Sequence, residues 1–97
     1  MKISACIFPV IENIDQALAE MHKYINIASA QKNDLIIFPE ASLGGLNITG
    51  IYSQDSQNCL AINSPEIKSL QQKAKQHSIG IGFGFLEIEK CCIYDSF

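Results

Sequence analysis

The spacing of apolar residues changes along the chain and predicts a β-α-β unit, then a loop, then an α-β-β unit. An apolar run over residues 2–8, stopped by Pro9, predicts a first strand. Asn13 is a residue type that caps helices, and the apolar residues after it recur at intervals of three and four. They predict a helix that ends near Asn33: Ile14, Ala17, Leu18, Met21, Ile25 and Ala28.

The residues after this helix predict a second strand beside the first. Residues 35–38 form a continuous apolar run, which is typical of a strand covered on both faces. Because a helix joins the two strands, we expect them to be parallel neighbours with a right-handed crossover. Residues 41–63 are rich in Gly, Ser and Asn and predict a long loop, a feature that is usually functional or mobile in a compact domain.

The second half of the chain predicts one helix and two strands. Ser64 supplies a helix cap and Pro65 suits the first helical position, so a helix is expected from here to near Ser78. Residues 79–87 predict a third strand. Glu89 and Lys90 suit a tight turn, and residues 91–97 predict a fourth strand antiparallel to the third.

The end of the second strand carries a carboxylate. Pro39 has no N–H group and cannot continue the strand pairing, so Glu40 lies where the strand stops. A carboxylate fixed beside an apolar layer can have its pKa raised toward neutrality, as a general base requires. Glu40 is therefore the candidate catalytic residue, although the same pattern taken alone also fits a solvated loop glutamate.

Composition and charge narrow the function classes. The 97 residues suffice for one small domain, and 47% hydrophobic with 18% charged residues is typical of a globular chain. A net charge of −3 and scattered Lys and Arg residues argue against a nucleic-acid partner. The N-terminal apolar run is too short for a signal peptide, and no run approaches the roughly 18 apolar residues of a membrane span. We therefore expect a cytoplasmic protein with no membrane partner.

The cysteines and histidines do not predict a metal site. The four cysteines lack Cys-x-x-Cys spacing, and three lie in apolar segments, which favours reduced, buried thiols over disulfides: Cys6, Cys59, Cys91 and Cys92. Cys91 and Cys92 would point to opposite faces of a strand. His22 and His77 lack ligand-spaced partners and are expected to be solvated or capping groups.

The glycines of the third predicted strand do not indicate a nucleotide site. Gly80, Gly82 and Gly84 resemble a phosphate-binding loop only superficially, because no helix begins after them. They are expected to permit bends or close approach of another backbone segment. Neither a metal nor a cofactor is therefore expected.

Taken together, the chain resembles the N-terminal part of the nitrilase superfamily, the carbon–nitrogen hydrolases. The resemblance covers essentially the whole chain, and its most specific element is Phe-Pro-Glu after an Asp-Leu-Ile strand. The segments that carry it are Phe8-Pro9-Val10, the helix from about Ile14, Asp34-Leu35-Ile36-Ile37-Phe38-Pro39-Glu40, Ile79-Gly80-Ile81-Gly82-Phe83-Gly84-Phe85-Leu86-Glu87 and Tyr94-Asp95-Ser96. It implies an α/β fold that forms the N-terminal portion of a four-layer α-β-β-α sandwich, with residues 1–97 as a single partial domain.

The resemblance also implies a Glu-Lys-Cys triad, of which only Glu40 maps onto this chain. Family members are well over twice this length, and their Lys and Cys follow the strand that corresponds to residues 91–97. No cysteine here follows a strand at the head of a helix, as the family nucleophile does. The lysines of the second predicted helix are expected to form its solvated face: Lys68, Lys73 and Lys75. We therefore expect a truncated, amidase-like hydrolase that is nearly inert alone and acts on a small amide or nitrile when completed.

The predicted sheet has one face without a cover. Strands over residues 2–8, 35–38 and 79–86 are apolar on both faces, whereas two helices can cover only one. We expect the other face to bind a second copy or a complementary C-terminal polypeptide. The alternative is a non-catalytic remnant or association subunit that pairs through this face, with Glu40 only a retained loop carboxylate. A separate chain carrying Lys and Cys would favour the enzyme, and a closed homodimer would favour the remnant.

Overall fold

The computed structural model describes residues 1–45 and 48–97. The described residues form five strands: Ile3–Ala5 (β1), Leu35–Ile37 (β2), Gly80–Gly82 (β3), Phe85–Glu89 (β4) and Cys92–Ser96 (β5). They also form three α-helices, Ile14–Ala30 (α1), Tyr52–Asp55 (α2) and Pro65–His77 (α3), and a 3-10 turn over Ser56–Asn58. The predicted α/β class is confirmed.

Strands β1, β2 and β3 form a parallel sheet with β2 in the centre. Ile36 of β2 lies in register with Ser4 on one side and Ile81 on the other. The parallel pairing of the first two predicted strands is confirmed, although β1 is shorter than the predicted 2–8. Backbone hydrogen bonds extend the pairing by one residue at each end: the Cys6 N–H donates to the Ile37 carbonyl at 2.8 Å, and the Lys2 carbonyl accepts the Asp34 N–H at 2.7 Å.

The two long helices begin at the predicted caps. The Asn13 side chain accepts a hydrogen bond from the Gln16 N–H at 2.9 Å, and the Ser64 hydroxyl accepts one from the Ile67 N–H at 3.3 Å. Each cap satisfies a backbone donor that has no partner within the helix. Helix α3 ends at His77, next to the predicted end near Ser78, and Ser78 is left-handed. Helix α1 ends at Ala30, three residues before the predicted end.

Helices α1 and α3 pack on one face of the sheet and bury a single core. The core side chains are Ala17, Met21, Ile25, Ala28, Ile36, Phe38, Leu43, Leu60, Ile67, Leu70, Ile79 and Phe85. Most come from the apolar positions that the sequence spacing predicts. Two of them, Leu43 and Leu60, come instead from the stretch predicted as a loop.

Both histidines join α1 to α3. The His22 Nε2 atom of α1 lies 3.0 Å from the Ser69 hydroxyl of α3, and the Ser29 hydroxyl of α1 lies 3.2 Å from the His77 Nδ1 atom of α3. The Lys73 ammonium adds a third link by donating to the Asn26 side chain at 2.6 Å. The prediction of solvated or capping histidines is therefore wrong, because each is half-buried between the helices.

The third predicted strand is two strands. β3 ends at Gly82, and β4 begins at Phe85 and pairs with β5 in a separate antiparallel hairpin. The hairpin turn consists of Lys90 and Cys91, both with positive φ (48° and 64°), and not of Glu89 and Lys90 as predicted. Two positive φ values in a two-residue loop match the twist of the flanking strands.

The long stretch over residues 41–63 is largely ordered against β4, and its residues 46 and 47 lie outside the described residues. Leu43 and Leu60 form isolated bridges to β4. The buried Asp55 carboxylate closes a turn by accepting three hydrogen bonds, from the Thr49 N–H, the Thr49 hydroxyl and the Gly50 N–H, at 2.7 to 3.0 Å. These donors hold the pKa of Asp55 below its usual value.

The sheet face opposite the helices is exposed, as predicted. Ile36, which points to the helices, is 2% exposed, whereas its neighbour Ile37 is 37% exposed and Ile3 is 54% exposed. The Phe97 ring lies on this face, with its nearest carbon 3.2 Å from where a Cβ atom on Gly82 would stand. We call the surface formed by Ile3, Ile37 and Gly82 the open sheet face.

Candidate functional site

The backbone turns sharply after β2, at the residue that carries the candidate carboxylate. The Phe38 N–H still pairs with the Gly82 carbonyl at 2.8 Å, and Pro39 then has no N–H to offer. Ala41 adopts a positive φ of 49°. Glu40 therefore lies between the last paired residue of β2 and a left-handed turn, as the sequence predicts for a strand end.

Gly84 holds this turn in place. Its carbonyl accepts hydrogen bonds from the Leu43 N–H at 3.0 Å and from the Ser42 hydroxyl at 3.4 Å. A Cβ atom on Gly84 would lie 3.0 Å from both the Cα and the carbonyl carbon of Glu40, and closer still to the Ala41 nitrogen. The sequence interpretation that a glycine here permits close backbone approach is confirmed at Gly84, and the approaching segment is the one that carries Glu40.

Aromatic side chains fix the strand ends around this turn. Phe38, which is 1% exposed, packs edge-on against Phe8 with ring centroids 5.8 Å apart. Phe83 and Phe85 flank Gly84 and pack against each other at 5.7 Å. The backbone beneath Glu40 is therefore supported by rigid side chains on both β2 and the β3–β4 connection.

The Glu40 side chain itself is exposed. Side-chain hydrogen bonding with Asp95 of β5 and the negative charge of Asp95 raise the pKa of Glu40, and partial loss of solvent adds to the effect. The predicted direction of the shift is thus found. The main cause of the shift differs from the expected one. The sequence predicted that an apolar layer would raise the pKa, whereas the neighbouring Asp95 carboxyl group is the larger cause.

Asp95 is the residue that sequence reasoning missed. The Tyr94-Asp95-Ser96 segment was noted only as supporting the family resemblance. Its position depends on the β4–β5 register, which sets Asp95 opposite Leu86, and on the break between β3 and β4. The spacing of apolar residues predicts neither this register nor this break. The only feature of the sequence that pointed to Asp95 was the place of its segment in the order of the family's segments.

The other candidate groups lie elsewhere. Lys73 binds Asn26 on the helix layer, and in the described part of the chain neither a lysine nor a cysteine contributes to the pKa shift of Glu40. The four cysteines are free thiols. Cys6 and Cys59 are half-buried, and burial raises the pKa of each, with added effects of Glu20 and Asp55 respectively.

The expectation of buried thiols is wrong for Cys91 and Cys92, which are exposed. Cys91 occupies the hairpin turn rather than a strand, and Cys92 begins β5, the outer strand of the hairpin. Within residues 1–45 and 48–97, no three His, Cys, Asp or Glu side chains are grouped as metal ligands.

Comparison with known proteins identifies the family. The carbon–nitrogen hydrolase family model matches residues 2–97, so the chain belongs to the carbon–nitrogen hydrolase family. The resemblance to the nitrilase superfamily is thereby confirmed, and the helices and strands described above agree with an α/β part of that fold. No curated protein matches the chain. Among the described helices, none combines the length and the apolar character needed to cross a membrane.

Proposed function

We propose that this chain supplies the general base, Glu40, of an enzyme that hydrolyses a carbon–nitrogen bond in a small amide or nitrile. The observation that carries the proposal is the placement of Glu40 at the end of β2, where Gly84 holds the backbone and Asp95 raises the pKa of the carboxyl. A base with a raised pKa accepts a proton more readily near neutral pH. Family membership makes C–N hydrolysis the reaction that such a base serves.

The proposed chemistry requires a thiol and a cation in addition to Glu40. The Glu40 carboxylate accepts the thiol proton, so that the S–H bond breaks, an O–H bond forms and the thiolate attacks the substrate carbon. A lysine ammonium stabilises the negative charge that develops on the substrate. Glu40 then returns the proton to the nitrogen as the C–N bond breaks and an amine or ammonia leaves, which gives a thioester. A water molecule that gives a proton to Glu40 attacks the thioester, so that the S–C bond breaks, the acid is released and the thiol regains its proton.

The thiol and the ammonium come from another stretch of polypeptide in this proposal. Cys6 is half-buried beside β1, Cys59 donates its S–H to the Asp55 carbonyl at 3.1 Å, and neither is a neighbour that shifts the pKa of Glu40. The Lys73 ammonium donates a hydrogen bond to the Asn26 side chain of α1. The resemblance to the family, in which Lys and Cys follow the strand that corresponds to β5, supports this assignment.

The open sheet face is the proposed binding surface for that polypeptide. Ile3 and Ile37 are exposed there on neighbouring strands, and burying apolar surface of this kind drives association. A specific interface buries about 800 Å² on each partner. A covering sheet would also bring its own side chains to the strand end at which Glu40 lies.

The second candidate function is an association subunit without catalysis. The same exposed apolar side chains favour it, because a second copy of the chain can cover them as well as a different polypeptide can. In this case Glu40 is only a loop carboxylate. The two candidates differ in what binds the open sheet face and in whether hydrolysis follows.

Hydrolysis by the chain alone and in a complex tests the proposal. We expect the purified chain to hydrolyse a panel of small amides and nitriles no faster than buffer does. Adding a polypeptide that carries the downstream strands with the lysine and cysteine should produce a complex and hydrolysis together. A complex that forms, with its size measured by light scattering, but hydrolyses nothing in the panel would favour the association subunit.

A further inference from the structure

Two of the contacts that join α1 to α3 lie one turn apart along both helices. The His22 Nε2 atom lies 3.0 Å from the Ser69 hydroxyl, and the Lys73 ammonium donates to the Asn26 side-chain oxygen at 2.6 Å. Residues four apart on a helix lie on the same face, so the two pairs follow one another along the line where the helices meet. The ammonium and the imidazole ring are therefore held on the same side of the helix layer.

These contacts border an open groove of about 700 Å³ along the α1–α3 contact, which we call the α1–α3 groove. All the side chains that line it are polar: His22, Ser69, Gln72, Lys73, Lys75 and Gln76. Among the described residues, no Asp or Glu lines it, although the chain has 10 acidic residues against 7 Lys and Arg residues. The groove therefore collects positive charge on an acidic chain.

The charge of Lys73 is not used in an ion pair. Lys73 is half-buried, and its ammonium contacts the neutral Asn26 amide rather than a carboxylate. After burial, the charge of Lys73 is the second cause that lowers the pKa of His22, which is the effect of one cation on another nearby. The adjoining pocket on α1 carries one charge of each sign, Asp15 and Lys23, and these largely cancel. A negative ion in the groove would therefore meet attraction from Lys73 and would relieve its repulsion of a protonated His22.

We propose that the α1–α3 groove binds a small oxyanion, a sulfate or phosphate group, with the Lys73 and Lys75 ammonium groups supplying the charge. The hydroxyl and side-chain amide groups of the groove add hydrogen-bond donors, and hydrogen bonds from cations to such an oxyanion are strong ones. The site lies on the helix layer and is independent of the hydrolysis proposed for Glu40.

Binding of the oxyanion is linked to protonation of His22. A protonated imidazole has N–H donors on both nitrogens, so its Nε2 atom donates to the Ser69 oxygen and leaves the Ser69 O–H group free to donate to the ion. The ion also offsets the repulsion between Lys73 and the imidazolium. Because linkage between two binding events is reciprocal, the ion raises the pKa of His22, and protonation of His22 tightens binding of the ion.

A histidine titration of the 97-residue chain, followed by proton NMR with sulfate as the probe, tests the inference. Sulfate stays a dianion throughout the range in which histidine titrates. The chain has 2 histidines, and the His22 ring signal is identified by its loss in His22→Gln. Relative to sodium chloride of equal ionic strength, we expect sulfate to raise the His22 midpoint by about 0.5 pH unit and that of His77 by less. Sulfate should bind about threefold more tightly below the His22 midpoint than above it.

Substitution of the lysines locates the site. Lys75→Gln and Lys73→Gln should each reduce the sulfate-dependent rise of the His22 midpoint by about half or more. Lys68→Gln is the matched control, because Lys68 lies on the same helix, is exposed like Lys75 and does not line the groove. Sulfate and chloride are compared within each variant, so the change that Lys73→Gln itself causes in the His22 midpoint cancels. Lys75→Gln alone decides the test if Lys73→Gln lacks the parent circular dichroism spectrum.

Glycerol phosphate, a phosphate monoester, is titrated in parallel to distinguish a phosphate group on a small molecule from a free inorganic ion. A rise of the His22 midpoint with either probe that depends on Lys75 supports the inference. Midpoints that equal the chloride value with both probes, equal rises for His22 and His77, or an equal effect of Lys68→Gln and Lys75→Gln would overturn it. Because no step of this test measures hydrolysis, its outcome is separate from that of the proposed function.

Discussion

Gly84 contacts the peptide that joins Glu40 to Ala41, and a Cβ atom at this glycine would stand 3.0 Å from the Glu40 Cα. The φ angle of Gly84 is not in the left-handed region, so the requirement for glycine here is one of space. The break between β3 and β4 thus coincides with the point at which the candidate base is held. A substitution at Gly84 should therefore displace Glu40.

Gly84→Ala should destabilise the chain and displace Glu40. The added methyl group meets backbone atoms that cannot rotate away, and overpacking of this kind costs about 1–3 kcal/mol in the free energy of unfolding. Urea denaturation followed by circular dichroism measures the loss. Gly82→Ala is the matched control, because the nearest atoms there belong to the Phe97 ring, which can move. Equal losses in the two variants would show that close backbone approach is not the reason for Gly84.

The contact between α1 and α3 should weaken on mild acidification because of His22. Burial, and then the charge of Lys73, lower the pKa of His22 below its usual value near 6.5. A lowered pKa means that the unfolded chain binds the proton more readily than the folded chain does. The contribution of His22 is therefore complete above about pH 6.5 and is lost as pH falls through the folded-state pKa.

Urea midpoints measured across this pH range check the His22 prediction. The midpoint of the parent should fall on acidification by more than that of His22→Gln. Lys73→Gln should reduce the loss only in part, since burial is the larger cause. The prediction fails if His22→Gln has the same pH dependence as the parent.

Cys91→Gly should stabilise the β4–β5 hairpin. Cys91 has a φ of 64°, which costs a residue with a Cβ atom about 1 kcal/mol or more and costs glycine nothing. After the greater entropy of glycine in the unfolded chain is subtracted, we expect a gain of about 0.5 kcal/mol in unfolding free energy. Cys92→Gly, at the first residue of β5, should instead cost about 0.5–1 kcal/mol. Denaturation of both variants measures their free energies of unfolding, which should rise for the turn variant Cys91→Gly and fall for the strand variant Cys92→Gly.

Much of the fold could be predicted from apolar spacing and helix caps. Asn13 and Ser64 begin the two long helices where expected, and the parallel pairing of the first two strands follows from the helix between them. The prediction of a single strand over residues 79–87 was wrong, because the apolar pattern continues across Phe83 and Gly84. The tertiary contact of Gly84 with the residues after β2 lies at the break between β3 and β4.

The candidate site was predictable in part. Pro39 after an apolar run was enough to place Glu40 at a strand end, because proline cannot continue strand pairing. Asp95 could not be placed, since its approach to Glu40 depends on the hairpin register and on the bonds that Leu43 and Leu60 make to the hairpin. Interactions between residues 55 positions apart in sequence leave no periodic signal.

The most direct test of the account compares the parent with Glu40→Gln in the same assembled complex, with complex formation measured independently. Replacing the acid by its amide keeps the side-chain volume and removes the base, so stability should change little. Hydrolysis should fall by about a hundredfold or more, the usual contribution of a general base. A rate within a few fold of the parent, in a complex formed to the same extent, would contradict the assignment of Glu40 as the general base.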